Sequence, residues 1–421
     1  MIQTLQVQPG IFLRGCTDTR FKTNCLSIQF VRPMDRQEAS ANALLSAVLL
    51  RGTENYPDIR DITRHMDDLY GATVGSLVRR VGDYQTTGVY CSFTEDRYAL
   101  DGDRILEPVA EFLQELLLRP RLENGVFCES FVEGEKRNLL SAIESQKNDK
   151  RIYASAQLMK YMCAQDSAGI PRLGERAQVQ ALEAGTLYDH YQKVLRHSRI
   201  DLFYVGSRPL ERIAQLMEPI FRGLQREYIL LPGQTPFHDG GKTRNEQQMD
   251  VTQARLQMGL LTPSTVNTPD FVPMQVLNTV FGSGMTSKLF MNIREKQSLC
   301  YDIGSSYQGG KGIMTVGAGM DCKMVDRVER SVMQELENCR NGIITPLELE
   351  SAQSAMLSSL RQIHDTPSSI ENFYSTGALS GMELTIPDYM QQVRQVTVSR
   401  LAEVAAKVQL HSVFVLKGVQ E

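Results

Sequence analysis

The sequence predicts an α+β protein made of two related halves. Apolar residues recur with strand-like and helix-like periods, but strands and helices do not alternate regularly as they do in a parallel α/β sheet. The order of predicted elements in the first half returns in the second half, which indicates a duplicated domain. The 421 residues and the hydrophobic share of 42% allow each domain a core of its own.

Periodicity and helix-ending residues define the elements of the first half. The alternation at 26–30 predicts a strand, and Asp35 with Glu38 three residues later forms a capping-box pattern before a helix over 39–50 that Gly52 ends. The other predicted elements of this half are a helix over 59–69, strands over 73–81 and 84–93, helices over 105–118, 125–146 and 182–195, and a strand over 200–205.

The second half contains the clearest helix start in the chain. Thr345 is a suitable N-cap, Pro346 suits the first helical position, and Glu348 completes the capping pattern. The other predicted elements are a strand over 254–261, helices over 270–281 and from 287, strands over 301–307 and 313–318, a helix over 323–339, and a final helix and strand over 402–407 and 412–416.

Glycine and proline mark the boundaries and turns of these halves. A polar stretch rich in both, at 232–245, predicts a first domain over 1–235, a linker over 236–248 and a second domain over 249–421. The run 282–284 precedes a helix but lacks the G-K-[ST] ending of a phosphate-binding loop, so a turn is favoured. The run 309–312 is typical of a hairpin turn.

Composition excludes several classes of partner and site. The formal net charge is −4, both signs are mixed, and no Lys/Arg block indicates a nucleic-acid or membrane-surface partner. The sequence has no apolar stretch long enough for a membrane span and no secretory signal pattern at its start. The eight cysteines are scattered, as in a reduced protein, and together these features favour a cytoplasmic location.

Several segments resemble the pitrilysin/insulinase family of zinc peptidases, also called inverzincins. They are the opening 21–24, the helix ending 49–53, and the stretch 281–301, which contains Arg294 and Tyr301 seven residues apart. The resemblance covers almost the whole chain. It implies two homologous domains, each a curved, mostly antiparallel sheet with helices packed on one face.

The zinc-binding residues of active family members are replaced. Those members carry H-x-x-E-H on the first-domain helix, and the matching positions here are Ala43, Ser46 and Ala47. The third ligand of the family, a glutamate on a later helix, matches Ala142. A methyl group offers no lone pair, and a serine hydroxyl is a poor ligand and base. Glu144 points about 200° away around that helix. The resemblance therefore implies no metal or cofactor in this chain and no peptidase activity in isolation.

No other metal or nucleophile pattern stands out. Neither H-x-x-E-H nor H-E-x-x-H occurs. His65 with Asp67 and Asp68 could form a metal cluster, but a solvated helix face is favoured. The sequence suggests no Ser/His/Asp order or Cys/His pair, although spacing cannot reveal a triad formed only in space.

The resemblance gives the pair Arg294 and Tyr301 a second interpretation. In the family, such an arginine and tyrosine donate hydrogen bonds to the carbonyl oxygen that becomes negatively charged. The alternative is a surface arginine in an ion pair and a half-buried strand tyrosine. We expect the retained role to be complementary: these residues would assist catalysis only beside a partner that carries zinc.

Two functions are consistent with this combination. The first is a subunit that pairs with a zinc-bearing paralogue, so that a peptide substrate is held in a shared chamber. The second is a non-enzymatic scaffold or peptide-binding module of a larger assembly. Self-association into a homodimer is left open, and neither hypothesis involves nucleic acid or membrane.

Overall fold

The computed structural model describes residues 2–418, which form two compact units. Unit 1 contains residues 2–144, 170–233 and 363–379, and unit 2 contains 145–169, 234–362 and 380–418. Each unit therefore includes a segment from the opposite half of the chain. The predicted boundaries 1–235, 236–248 and 249–421 concern the duplication along the sequence and stay a prediction.

The elements are numbered in chain order. The strands are β1 Gln3–Gln8, β2 Ile11–Thr17, β3 Thr23–Pro33, β4 Thr73–Val81, β5 Tyr84–Thr94, β6 Leu122–Glu123, β7 Val126–Phe127, β8 Arg199–Gly206, β9 Arg244–Met249, β10 Ala254–Leu261, β11 Asp302–Gln308, β12 Ile313–Met320 and β13 Gln409–Gly418. The helices are α1 Ala39–Leu49, α2 Ile59–Asp68, α3 Leu106–Leu118, α4 Glu129–Asn148, α5 Lys150–Met162, α6 Arg176–Ala181, α7 Ala184–His197, α8 Leu210–Arg222, α9 Phe271–Phe281, α10 Val325–Arg340, α11 Pro346–Gln362, α12 Pro367–Ser380, α13 Ile386–Gln395 and α14 Val398–Ala406.

Unit 1 is organised around a six-stranded sheet in the order β1-β2-β8-β3-β5-β4. Only the β2–β8 pair is parallel. On β3, Leu26, Ile28 and Phe30 enter the main core with residues of α1, α3, α7 and α8, because alternate side chains of a strand share a face. The opposite face includes Cys25, which packs with Ile370 of α12. A helix from the second half of the chain thus covers the second face of this sheet.

Unit 2 repeats this topology with five strands in the order β11-β12-β10-β13-β9. Read from β9, a parallel pair is followed by three antiparallel pairings, as in the series β2-β8-β3-β5-β4 of unit 1. The two sheets therefore have equivalent connectivity, which agrees with the predicted duplication and confirms the α+β class. Helix α5 packs on this sheet through Leu158, close to Phe414 and Leu416 of β13.

Local start and stop signals are only partly confirmed. The Thr345–Glu348 capping pattern is confirmed, because the Thr345 amide donates to Glu348 Oε2 (2.8 Å) and the Glu348 amide to Thr345 Oγ1 (3.2 Å). The Asp35–Glu38 capping box is confirmed only on the Asp35 side. Asp35 Oδ1 accepts from the amides of Gln37 and Glu38, and the Asp35 carbonyl accepts from the amide of Ala39 at the start of α1. The Glu38 carboxylate instead pairs with Arg32.

Turn geometry also corrects the predicted start of α4. The helix begins at Glu129, not at residue 125, because residues 122–127 form a short hairpin. Asn124 and Gly125 close it with φ values of 53° and 81°, which a helix cannot accommodate. The segment Leu289–Lys296, predicted as an ordinary helix, is a π-helix.

The helices and the cysteines relate to two expectations from composition, on membrane spans and on thiols. None of the helices within residues 2–418 is long and apolar enough to cross a bilayer. The eight cysteines are free thiols and all but Cys322 are buried.

Candidate functional site

The positions that match the zinc motif lie in a packed helix. Ala43 and Ser46 of α1 are 5% and 2% exposed, and α1 packs against β4, β5, α6 and α7. A catalytic zinc site needs three ligands and one open coordination position. Methyl and hydroxyl groups in tight packing offer neither ligands nor space for a metal-bound water, so these residues do not fit the family's zinc.

The segment leading into α6 covers one end of the same helix face. Ser40 lies about one helical turn before Ala43 and two turns before Ala47. Ser40 Oγ accepts from the amide of Glu175 at 3.1 Å, and Gly174 adopts a φ of +76° in close contact with Ser40. A side chain at Gly174 would collide with the backbone of Ser40, so glycine permits this close approach.

Polar groups beside the replaced motif bind one another. Asn42 Nδ2 donates to Gln85 Oε1 (2.9 Å), so Asn42 Oδ1 is the atom that accepts from His190 Nε2 (2.8 Å). Gln85 in turn donates to the backbone oxygens of Ala39 and Arg172. Burial lowers the pKa of His190 to about 4, which keeps the imidazole neutral at physiological pH. The network ties α1 to β5 and α7 without a metal.

The fourth replaced position, Ala142, is exposed on α4. Glu135, the glutamate seven residues before it, has Oε1 3.4 Å from Arg51 Nη1 near the end of α1. Glu144 Oε2 lies 2.7 Å from Arg176 Nη1, so this nearby carboxylate pairs with an arginine. Among residues 2–418, no group of three His, Cys, Asp or Glu side chains could hold a metal ion.

His65 has a different environment from either predicted alternative. Its ring is stacked on Tyr56 with the centroids 4.5 Å apart, and it also contacts Phe112. Asp67 and Asp68 are exposed. His65 is therefore neither part of a metal cluster nor on a fully solvated helix face, because aromatic residues outside α2 cover its ring.

Arg294 and Tyr301 line the same pocket of unit 2, which has a volume of about 360 Å³. The Arg294 guanidinium lies over the Phe290 ring, 4.5 Å from its centroid, and this stacking restricts its orientation. The carbonyl of Arg294 accepts from the amide of Ser298 at 3.1 Å, and Ser298 has a φ of 51°. This turn brings the chain back from the π-helix towards β11.

Tyr301 combines an anchored backbone with an exposed side chain. Its amide donates to the carbonyl of Gly319 on β12 at 2.8 Å, while the residue is 53% exposed. Arg294 Nε lies 3.7 Å from Glu295 Oε1, which is a loose ion contact. Burial raises the pKa of neighbouring Cys300 to about 11, so this thiol stays protonated and is not a nucleophile at neutral pH.

Unit 2 also contains a serine–histidine–aspartate contact that spacing did not reveal. His411 Nδ1 lies 2.7 Å from Ser412 Oγ, and His411 Nε2 lies 2.7 Å from Asp239 Oδ1. Ser412 is fully buried and its hydroxyl also accepts from Thr243. A substrate cannot reach this hydroxyl, so the contact joins β13 to the loop before β9 and is not a hydrolase triad.

Known proteins with similar sequences and folds agree with this picture. Residues 181–356 match the family model described as "Peptidase M16 inactive domain". The Bacillus subtilis protein named "Probable inactive metalloprotease YmfF" is 27% identical over 404 residues, covering 95% of this chain and 94% of that protein.

Solved structures extend the similarity to the whole fold. A conserved protein from Enterococcus faecalis V583 has a TM-score of 0.92 at 27% identity, over 100% of this chain and 99% of that one. A "peptidase M16 inactive domain" structure from Pseudomonas fluorescens has a TM-score of 0.81 at 17% identity, over 100% and 98% of the two chains. At that identity the second likeness concerns the fold alone.

Proposed function

We propose that this chain is a non-catalytic homologue in the M16 family of pitrilysin- and insulinase-type peptidases. It supplies Arg294 and Tyr301 to a heterodimeric peptidase whose other subunit is a zinc-bearing paralogue. One contrast carries the proposal. The zinc-motif positions Ala43 and Ser46 are buried in helix packing, whereas Arg294 and Tyr301 line one open pocket.

The two retained side chains suit one chemical task. A guanidinium and a phenol both donate hydrogen bonds, and neither brings a negative charge to the site. Donors held in advance stabilise an oxyanion because they need little reorganisation during the reaction. The stacking on Phe290 restricts the Arg294 guanidinium in this way, and the backbone hydrogen bond of Tyr301 fixes the position from which its phenol extends. Metal and general base would come from the paralogue, and the peptide would lie in a chamber that the two subunits share.

The edge strand β11 supports the binding part of this proposal. It follows Tyr301 directly and ends the unit 2 sheet, and a sheet edge can hold an extended peptide through main-chain hydrogen bonds. The amide of Ser305 is already bound to the carbonyl of Gly282 at 2.9 Å. We therefore expect a peptide to pair with the part of β11 nearest Tyr301.

Reconstitution with the paralogue tests the proposal. The purified chain, a paralogue from the same cell that carries H-x-x-E-H, and their mixture are assayed with a fluorogenic peptide, with and without a zinc chelator. We expect zinc-dependent cleavage to be much faster in the mixture than in either subunit alone. A stable complex that cleaves nothing under any zinc condition would favour the scaffold or peptide-binding alternative.

Variants then separate chemistry from assembly. Arg294→Ala and Tyr301→Phe should each lower kcat of the mixture by roughly 10²–10³-fold, with little effect on complex formation measured by light scattering. Arg327→Ala on the exposed side of α10 is the matched control, because it removes an equal charge outside the pocket. Full activity of the Arg294 variant would refute the assigned role.

A further inference from the structure

A second pocket, in unit 1, combines aromatic rings with carboxylates. It has a volume of about 290 Å³ and lies between the loop after α1, α2 and α3. Its walls include Tyr56, His65 and Phe112, together with Glu111 and Glu115. This volume lies at the lower end of the range for ligand sites, so it suits a small molecule or a single side chain. Neither the zinc-motif positions nor the Arg294 pocket contributes to it.

The aromatic wall is a preassembled cluster. The Tyr56 ring is stacked on His65 and meets the Phe112 ring edge-on, with the latter centroids 5.6 Å apart. Tyr56 Oη lies 3.3 Å from His65 Nε2. Ring faces attract a cation within about 6 Å of their centroids. Burial lowers the pKa of His65, so the imidazole brings no positive charge to the pocket at neutral pH.

The carboxylates lie one helical turn apart on α3. Glu115 is 7% exposed, and its Oε1 accepts from the amide of Asn55 at 3.0 Å. Its Oε2 lies 3.7 Å from Arg119 Nη1, and the Arg119 side chain is 59% exposed. An ion pair this long and exposed contributes little. Glu115 is therefore a buried charge whose nearest cation is loosely held, and Glu111 adds a second carboxylate at the exposed rim.

From this juxtaposition we propose that the pocket binds a small organic cation, a guanidinium or primary ammonium group. The cation replaces Arg119 as the partner of Glu115, approaches Glu111 from the open side, and contacts the Tyr56 ring. The same group could come from a free amine or from an arginine or lysine side chain of a peptide. The recognition chemistry is shared, and the probes below separate the two sources.

Calorimetric titration and histidine NMR of the full chain test this site. Ethylguanidinium represents a free cation, N-acetylarginine methylamide represents a peptide side chain, and ethylurea is the uncharged control. We expect both cations to bind saturably and to shift the His65 ring resonance, with ethylurea at least about tenfold weaker because the desolvated charges contribute more than 1.4 kcal/mol. Tighter binding of the arginine derivative would identify a peptide source, and tighter binding of ethylguanidinium a free one.

Three substitutions in the pocket should change the affinity for the cation, two by weakening it and one by strengthening it. Glu115→Gln keeps an acceptor for Asn55 but should weaken binding about tenfold, and the exposed Glu111→Gln about threefold. Arg119→Gln should strengthen it about threefold, because it removes the competing cation. Glu211→Gln on α8 is the matched exposed control.

The absence of saturable cation binding, equal affinity for ethylurea, or unchanged affinity in both glutamate variants would overturn the proposal. These outcomes are independent of the Arg294 and Tyr301 assay.

Discussion

Replacing Glu371 should destabilise unit 1 more than any exposed charge of the same unit. This carboxylate of α12 is fully buried and accepts from Arg79 through both oxygens, at 2.9 and 3.0 Å. Its Oε1 also accepts from Ser27 Oγ (2.9 Å) and Gln29 Nε2 (2.8 Å) of β3. The carboxylate therefore holds a helix from the second half of the chain against the first-half sheet.

The magnitude follows from what each substitution leaves unpaired. Glu371→Gln keeps an acceptor for Ser27 and Gln29 but turns an amide donor towards the guanidinium, so we expect a loss of roughly 3 kcal/mol in the free energy of unfolding. Arg79→Met leaves a buried carboxylate with neutral partners and should cost a similar amount. In the double variant neither charge remains, so its cost should fall below the sum of the single costs by at least about 2 kcal/mol.

Denaturant titration followed by circular dichroism, with hydrogen exchange of residues 23–33, measures these effects. Hydrogen exchange is needed because two compact units need not unfold together. Glu218→Gln is the matched control, because its partner Arg222 is 71% exposed, and we expect a change within about 0.5 kcal/mol. A Glu371→Gln variant as stable as this control, or strictly additive costs, would refute the reasoning.

Two further predictions concern α1 and its neighbours. Restoring the motif with A43H/S46E/A47H should lower the free energy of unfolding by about 1–3 kcal/mol through overpacking, and A47H alone is the less crowded control. Because Ala142 offers no third ligand, we also expect the dialysed protein to hold no stoichiometric zinc; stoichiometric zinc measured by mass spectrometry would contradict this expectation. The pKa of His190 is about 4 in the folded chain, against about 6.5 when unfolded. The unfolded chain thus binds more protons between these values, so stability is full above pH 6.5 and falls by up to about 3 kcal/mol as pH approaches 4. Denaturation midpoints at pH 7.5 and 4.5 should show a smaller loss for H190Q than for the native chain; equal losses would exclude His190 as the cause.

Strong local patterns predicted much of the secondary structure. The strand predicted over 73–81 is β4 with the same bounds, and the Thr345 start of α11 is confirmed by its hydrogen bonds. Helix-start signals failed where a different local contact or turn formed in place of the predicted one. The Glu38 carboxylate pairs with Arg32 instead of completing the capping box that Asp35 begins, and Asn124 with Gly125 forms a hairpin turn before α4. Helix α5 was missed altogether because its apolar stripe is narrow, with few fully buried positions.

For the candidate sites, too, the sequence predicted one part and left another part open. Side-chain identity alone shows that Ala43, Ser46 and Ala47 cannot provide imidazoles and a carboxylate. The resemblance to the zinc peptidases also singled out Arg294 and Tyr301 as a pair, and both line one pocket. Their catalytic role stays a prediction, since only an assay with the paralogue can test it.

Residue identities determined the absence of zinc ligands at the family's positions, the duplicated order of elements and the main helix and strand periods, because these depend on neighbours a few positions apart. Tertiary structure alone decided that α5 belongs to unit 2 and α12 to unit 1. It also joined Glu371 to Arg79, 292 residues earlier in the chain, and gathered Tyr56, His65 and Glu115 around one cavity. Such pairings depend on which buried charges and apolar faces meet after the chain has folded, and periodicity carries no information about partners so distant in sequence.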